Sequence, residues 1–573
     1  MHCGVAAYDE RKFDCNQSAP RRALRAKPAT PIISVVIRAF SLRLRWTRRR
    51  LSSLALTVLC AAIPALYGQG QTAAQAAASG DAKVLLVLPF DSRAGQPSLD
   101  WIREAAVEVL SKRFASAGFQ PTSRADRTYA LDHLGLPQGF QPSRASALKL
   151  AQTLDADSIV VGSFSLDGNN LVATARLVDV PQLRMTPEVS ARGPMRDLIA
   201  VFSSLAWKLT RQIDPNFSVA EETFTAAGKG IRLDAYEQYI RGITEPDQAE
   251  RLAHLQKAVK LNPEFGPAWM ALGRELYASQ QYQEAASAFA KVDRNGTDGL
   301  EAGFYRGMSL IFSGDYAHAE QAFAEVAKVL PLAEVENNQG VAASRQGHDG
   351  MHLFMQAAAA DPNAADYHFN LAVSLKRHGD LSGALNEIAQ CLKQRPGDSE
   401  AQLLEDYWKH PSSASGVDPL ERIVRNFDAA AFKQAAAMID QVDAGRLAAL
   451  APPEHAQALC TQAKSYLNRG LLLEAERLFQ EAAATDNKSA AAHAGLAELR
   501  RRSGDLDAAR KQARASLDLK PTADAYLVLA RLDLASGSLG VAGDEIGAAL
   551  KLEPNNVDAL DLQRQIMAKS RQK

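Results

Sequence analysis

Apolar residues between positions 83 and 215 recur with two different periods. Short Val-, Leu- and Ile-rich runs bounded by Asp, Asn or Gly predict strands at Lys83–Phe90, Asp157–Leu166 and Leu171–Val180. Apolar residues three or four positions apart predict helices at Ser98–Ala117, Ser143–Leu154 and Met195–Ile213. The turn residues Asp167-Gly168-Asn169-Asn170 favour a hairpin. Strands mixed with helices predict a small α/β domain over residues 81–215.

From about residue 231 onward the pattern changes to a repeat of about 34 residues. Gly residues mark it at spacings of 32 to 34 within two groups, which are Gly314, Gly347 and Gly379, and then Gly470, Gly504 and Gly537. A small residue follows five positions later in most units, at Ala319, Ala384, Ala475, Ala509 and Ala542. Gly allows a tight helix exit and Ala allows two helices to approach closely. The pattern therefore predicts antiparallel helix pairs stacked into an all-α solenoid, so that the chain is mostly helical.

These units resemble the tetratricopeptide repeat. The matching positions are Trp269, Leu272, Gly273, Tyr282, Ala285 and Phe289 in one unit, and Gly314, Tyr316, Ala319, Phe323 and Pro331 in the next. The resemblance implies a superhelix with a concave face that binds proteins or peptide segments.

The period fails between residues 397 and 453. We predict one repeat array over residues 231–396 and a second over 454–554. The spacer between them, 397–453, is predicted to be helical at Leu403–Lys409 and Leu420–Val442. Residues 555–573 are predicted to form a capping helix with Leu560, Leu562 and Ile566 facing inward.

The α/β region resembles the TolB amino-terminal-like domain that precedes repeats in many bacterial exported or membrane proteins. The resemblance rests on Leu88-Pro89-Phe90, on the stretch Ala156–Phe164 and on the stretch Val172–Asp179. It implies an interaction or assembly module and supplies no catalytic residues.

The first 80 residues read as a targeting segment and linker. A basic stretch runs into the uncharged apolar stretch Leu51–Leu66, which indicates a signal peptide over about residues 41–76 and export to the periplasm or cell envelope. An uncleaved inner-membrane anchor is the alternative. Because this signal begins late, we expect residues 1–40 to result from a mis-assigned start.

Charge argues against nucleic acid as a partner. The first 50 residues carry twelve basic and three acidic side chains, whereas the whole chain carries 65 of each, so the remaining residues are net acidic. No membrane contact is expected apart from the signal or anchor segment. Phosphate-loop, zinc, calcium and nucleophile-elbow motifs do not occur in the sequence. We therefore expect that the protein is not an enzyme and that it binds neither a cofactor nor a metal ion.

Polar residues of the first helices that the core pattern does not require are the candidates for partner binding. They are Arg274, Arg306, Asn337, Asn370 and Lys376. The predicted function is a non-catalytic periplasmic or envelope scaffold that binds proteins in its grooves. A sensory module with a ligand in the α/β domain is the first alternative, and an enzyme with an unrecognised site is the second. The sequence leaves the oligomeric state open.

Overall fold

A computed structural model describes residues 82–137, 143–226, 228–296, 298–410, 418–425, 427, 442 and 444–571. The predicted signal peptide lies outside these residues. None of the helices within them combines the length and apolar character needed to cross a membrane.

The amino-terminal part contains the strands β1 (Val84–Val87), β2 (Asp91–Ser92), β3 (Gln120–Pro121), β4 (Ser158–Asp167), β5 (Asn170–Asp179), β6 (Arg184–Met185) and β7 (Val189–Pro194). Its helices are α1 (Ile102–Ser116), α2 (Arg124–His133), α3 (Arg144–Thr153) and α4 (Leu198–Ile213).

Within the described residues the strands form one mixed sheet in the order β3-β1-β4-β5-β6, with β2 beside β4 and β7 beside β5. Alternate residues of β1 point to opposite faces, as a strand requires. Leu85 and Val87 pack in the core with α1 and α4, whereas Leu86 and Leu88 pack with α2 and α3. The predicted α/β fold is therefore confirmed. The sequence prediction did not include α2, β7 or the two-residue strands.

The β4–β5 hairpin is the longest strand pairing, and it closes at Gly168. Asp167 pairs with Asn170, so that Gly168 and Asn169 form a two-residue turn, and Gly168 has a φ of +59°. This conformation is unfavourable for a residue with a Cβ.

Replacing Gly168 by alanine is expected to lower the free energy of unfolding by about 1 to 2 kcal/mol because alanine is strained at positive φ. Urea unfolding followed by circular dichroism measures the change. Asn169→Ala is the neighbouring control, since no positive φ occurs there. Equal stability of the two variants would contradict the prediction.

The remainder of the described chain is helical apart from connecting segments. Before the first repeat lies α5 (Glu221–Ala226). In the structure the first array continues past the predicted boundary at residue 396. It contains α6 (Leu233–Thr244), α7 (Gln248–Leu261), α8 (Gly266–Ala278), α9 (Tyr282–Phe289), α10 (Gly299–Phe312), α11 (Tyr316–Ala327), α12 (Ala333–Arg345), α13 (Met351–Ala360), α14 (Ala365–Arg377), α15 (Leu381–Gln394) and α16 (Ser399–Lys409). The second contains α17 (Pro452–Asn468), α18 (Leu472–Thr485), α19 (Ala490–Ser503), α20 (Leu506–Leu519), α21 (Ala523–Ala535), α22 (Leu539–Leu552) and α23 (Val557–Ser570).

The residues that predicted the repeat hold the positions that its physics requires. Every marker glycine has a φ between +77° and +95° and stands one or two positions after the end of a first helix. The marker alanines are fully buried where the second helix crosses the first. The stacked helix pairs bury a series of apolar clusters between neighbouring helices.

One prediction for the spacer and one for the carboxy-terminal helix are wrong. Residues 418–425 have no regular secondary structure, so the helix predicted for Leu420–Val442 does not begin there, and residues 428–441 lie outside the described residues. In α23, Leu562 and Ile566 are buried as predicted, but Leu560 is 39% exposed. The helix predicted at Leu403–Lys409 is present as part of α16.

The second array packs back on the segment that follows the α/β domain. Helix α5 contacts α18 and α19. The carboxylate of Glu476 is fully buried, accepts a hydrogen bond from the Ala220 amide at 3.1 Å, and pairs with Arg500. Arg500 also donates to the Thr223 hydroxyl at 2.8 Å. A buried ion pair of the second array is therefore hydrogen-bonded to a part of the chain that is more than 250 positions away in sequence.

Candidate peptide-binding groove

The first helices of the first array line a groove, and a segment of the chain itself lies in it. This segment, residues 418–425, is called the groove segment below. It crosses α14 and α12, and Phe427 beyond it packs against Phe304 of α10 with ring centroids 5.4 Å apart.

Three buried asparagines bind the backbone of the groove segment. Asn370 accepts from the Arg422 amide at 2.6 Å and donates to the Arg422 carbonyl at 2.7 Å. Asn338 accepts from the Val424 amide at 2.9 Å and donates to the Val424 carbonyl at 2.8 Å. Asn337 donates to the Arg422 carbonyl at 3.1 Å. Backbone groups two residues apart thus face the same side, which is the period of an extended chain.

The asparagines are also bonded to one another. Asn370 donates to the Asn337 side-chain oxygen at 2.7 Å, and Asn337 donates to that of Asn338 at 3.2 Å. All three side chains are 0% exposed. Because each amide is fixed by a neighbour, the groove presents donors and acceptors in a set geometry. Such contacts bind any extended backbone and do not depend on its side chains.

Glu421 occupies a basic site between α12 and α14. Arg345 donates to its carboxylate at 3.2 Å, and Arg377 and the Ser344 hydroxyl also bond to it. Burial alone would raise the pKa of Glu421, but the hydrogen bonds from Ser344 and a backbone amide and the charge of Arg377 outweigh it and lower that pKa. The site therefore selects an ionised carboxylate.

Arg422 points in the opposite direction, into an acidic site. Its guanidinium donates to Asp398 at 2.6 and 2.8 Å, to Glu400 at 2.8 Å and to Asp366 at 3.1 Å. It also lies over the Phe369 ring, 3.6 Å from the centroid. Burial alone would lower the pKa of Arg422, but the hydrogen bonds to Asp398 and Glu400 raise it instead. Planar, bidentate recognition of this kind selects arginine over lysine.

Apolar side chains complete the contact. Ile423 and Val424 pack against the core between α12 and α14, and Ile423 and Phe427 pack against the core of α10 and α11. Arg425 lies over the Phe312 ring at 5.2 Å.

Acidification is expected to release the groove segment. Hydrogen bonds from Arg422 lower the pKa of Asp398, and the pKa of Glu421 is lowered as well. The stabilisation from such carboxylates is present at neutral pH and is lost as pH falls below the ordinary carboxyl range of about 4. Hydrogen exchange of residues 418–425, corrected for intrinsic rates, should show less protection at pH 3 than at pH 7.

Helicity measured by circular dichroism at both pH values separates release of the segment from global unfolding. Unchanged protection at pH 3 would show that these carboxylates do not hold the segment.

A cavity of about 480 Å³ opens beside the start of the groove segment. Arg345, Arg377, His348 and His378 line it together with acidic residues that include Glu421. It lies in the repeats and not in the α/β domain, where a ligand site was the alternative expectation.

Comparison with known proteins bears on the helix pairs. The family model for the tetratricopeptide repeat matches residues 245–299 and 460–524, one stretch in each array. The chain contains tetratricopeptide repeats. Proteins built from such repeats are generally interaction scaffolds for proteins or peptides and are typically non-catalytic. No curated protein sequence matches the chain significantly.

Solved structures that are similar include YrrB, described as a tetratricopeptide-repeat protein with an unusual peptide-binding site, at 18% identity over 34% of this chain and 97% of that chain, with a TM-score of 0.27. MamA from Desulfovibrio magneticus RS-1 has 20% identity over 30% of this chain and 100% of that chain, with a TM-score of 0.27. The carboxy-terminal domain of LpoB from Salmonella enterica has 19% identity over 20% of this chain and 83% of that chain, with a TM-score of 0.18. At these values the likenesses say nothing about function.

The tetratricopeptide repeats place the five predicted binding residues in different surroundings. Hydrogen bonds join two of them, Asn337 and Asn370, to the groove segment. Arg274 pairs with Glu301, and Arg306 lies 3.9 Å from Glu325. Lys376 is half-buried on α14. Binding of a partner by any of the five stays a prediction, although both asparagines already bind an extended segment.

The sequence did not identify Asn338, Arg345 or Arg377 as candidate binding residues. Arg345 and Arg377 are 32 residues apart, and each stands two positions before a marker glycine. Equivalent positions in successive repeats lie side by side, so this spacing was the available signal.

Two further observations concern metal-binding side chains and cysteine thiols. Among the described residues, no three His, Cys, Asp or Glu side chains are arranged to hold a metal ion. Cys391 and Cys460 are buried free thiols. Burial raises the pKa of Cys391 to about 11, which makes its thiol unreactive at neutral pH.

Proposed function

We propose that the protein is a non-catalytic scaffold, exported to the periplasm or cell envelope, that binds extended segments of partner proteins in the groove of its first repeat array. The observation that carries this proposal is the pair of asparagines that each bind both the amide and the carbonyl of one residue of an extended chain. Side chains that pair both backbone groups of an extended residue support a role in peptide recognition.

Export is supported by the basic and apolar pattern of residues 41–76. The α/β domain, by its resemblance to the TolB amino-terminal-like domain, is proposed as a second interaction module. The repeats would then hold the partner, and the domain would join it to an envelope assembly.

The test is affinity purification of the tagged full chain from fractionated cells, followed by mass spectrometry. Asn338→Ala/Asn370→Ala is compared with Asn363→Ala, a control in the same array whose side chain is exposed. Point variants are preferable to removal of the second array because α18 and α19 pack against α5.

Partners that are lost with the double variant and kept with the control would support the groove as the binding site. Equal recovery from all three proteins would place partner binding elsewhere. Recovery of the chain from the cytoplasmic fraction would contradict the export proposal.

A further inference from the structure

The groove is occupied in cis, which limits what can bind there. The last helix of the first array, α16, ends at Lys409, and the groove segment begins only nine positions later at Asp418. A short tether holds a ligand at an effective concentration on the order of 1 mM. An outside peptide must therefore compete with the chain itself.

We propose that residues 418–425 are an internal competitor that closes the groove, and that the partner which displaces them carries an extended segment with an acidic residue, then arginine, then two aliphatic residues. This inference rests on the proposed function of the groove and names both its ligand class and its regulation.

The helix pairs do not need the groove segment to complete their cores. The buried cluster of α14, α15 and α16 contains Phe369, Ile388 and Trp408 but no residue of the segment. Ile423 and Val424 are only partly buried, at the margins of two other clusters. The helix pairs would stay packed against one another if the segment left the groove. Departure of the segment is therefore a local opening that does not unfold the solenoid.

The vacated groove would present a basic site and an acidic site in a fixed order along its length. Arg345 and Arg377 would be left without Glu421, and Asp366, Asp398 and Glu400 without Arg422. A ligand must place a carboxylate in the first site and a guanidinium in the second, on consecutive residues. A ligand with these two residues in reverse order would place its guanidinium in the basic site and its carboxylate in the acidic site. Like charges would then meet in both sites, and neither charged group of the ligand would have a partner of opposite charge.

The strength of the closure follows from the tether. If the segment binds in trans with a Kd of about 10 µM, an effective concentration of about 1 mM keeps the groove closed about 100 to 1. Opening the groove should then tighten binding of an outside peptide by about 100-fold.

The experiment measures fluorescence anisotropy of a labelled peptide with the sequence of residues 418–427, DPLERIVRNF, titrated with the full chain. Two variants open the groove without changing its walls. Glu421→Ala/Arg422→Ala removes the two side chains that occupy the basic and acidic sites. Val424→Pro removes the amide hydrogen that donates to the Asn338 side-chain oxygen. Leu420→Ala is the matched control, since Leu420 belongs to the same segment but is 62% exposed.

A second peptide, DPLREIVRNF, has the same composition, but the residues that correspond to Glu421 and Arg422 are exchanged. Thermal melting of each variant by circular dichroism tests whether it is folded. The open variant that also carries Asn338→Ala/Asn370→Ala tests whether the peptide binds in the groove.

We expect both open variants to bind the first peptide about 100-fold more tightly than the wild type and Leu420→Ala do, and to bind the exchanged peptide at least ten-fold more weakly. The open variant that also carries Asn338→Ala/Asn370→Ala is expected to lose binding of the first peptide. Equal affinity of wild-type and open proteins would overturn the closure, while the proposed function would stand.

Folded open variants that bind neither peptide, or both equally, would overturn the ligand class. The proposed function would then depend on the co-purification experiment alone. Loss of the folded state in both open variants would make the segment an integral part of the solenoid and would overturn the inference.

Discussion

Replacing Asn370 by alanine is expected to detach residues 418–425 from the groove and to speed hydrogen exchange there by about 100-fold. The change removes the acceptor of the Arg422 amide and one of two donors to its carbonyl. It also removes a donor to Asn337. A buried polar group without a partner costs about 1 to 3 kcal/mol, and 1.4 kcal/mol corresponds to a factor of ten.

Hydrogen exchange followed by mass spectrometry on peptides that cover residues 418–425 measures this effect. Asn363→Ala, whose side chain is exposed, should exchange like the wild type. Exchange in α15 should not change, because its core does not include the segment. A variant with wild-type exchange at residues 418–425 would show that the asparagines do not hold the segment.

Replacing Arg500 by methionine is expected to lower the free energy of unfolding by about 3 to 5 kcal/mol, because it leaves a buried carboxylate without its cation. Glu476 is 0% exposed, and Arg500 bonds to both of its oxygens. The variant should also loosen α5, since Arg500 donates to Thr223. Urea unfolding at pH 7 measures the loss.

Two further variants separate a buried charge from lost packing. Arg500→Met/Glu476→Leu removes both charges and should regain most of the stability, since an apolar pair of similar size has no charge to leave unpaired. Arg196→Met removes an exposed arginine, 82% accessible, and should change stability by less than about 0.5 kcal/mol. A loss of less than 1 kcal/mol in Arg500→Met would contradict the prediction.

The repeats could be predicted because their determinants are local. Glycine at a helix exit and alanine at a helix crossing act within about ten residues, so the period in the sequence is the period of the structure. The same holds for the β4–β5 hairpin, where Gly168 and Asn169 form the turn.

Helix α2 and strand β7 gave weak signals for a physical reason. Only Arg127 and Ala130 of α2 are buried, and in β7 only Ala191 is buried. With so few apolar residues facing the core, neither element shows a readable period.

The groove segment was mistaken for a helix because its apolar residues have helical spacing. Leu420, Ile423, Val424 and Phe427 stand at positions i, i+3, i+4 and i+7. Hydrogen bonds to the asparagine side chains replace those that a helix would make within itself, so tertiary contacts override the local pattern. The two candidate residues that contact it, Asn337 and Asn370, were found for their polarity, and their 33-residue spacing was the clue to a shared role.

The contact between α5 and the second array also bears on the order of folding. Ser218 bonds to Gln480, a partner 262 positions away, whereas each helix pair is built from neighbours in sequence. Local pairs form quickly, and contacts between distant residues must first overcome the entropy of closing a long loop. We expect the helix pairs to assemble first, and the junction at Glu476 and Arg500 to form last and to make the unfolding of both arrays cooperative.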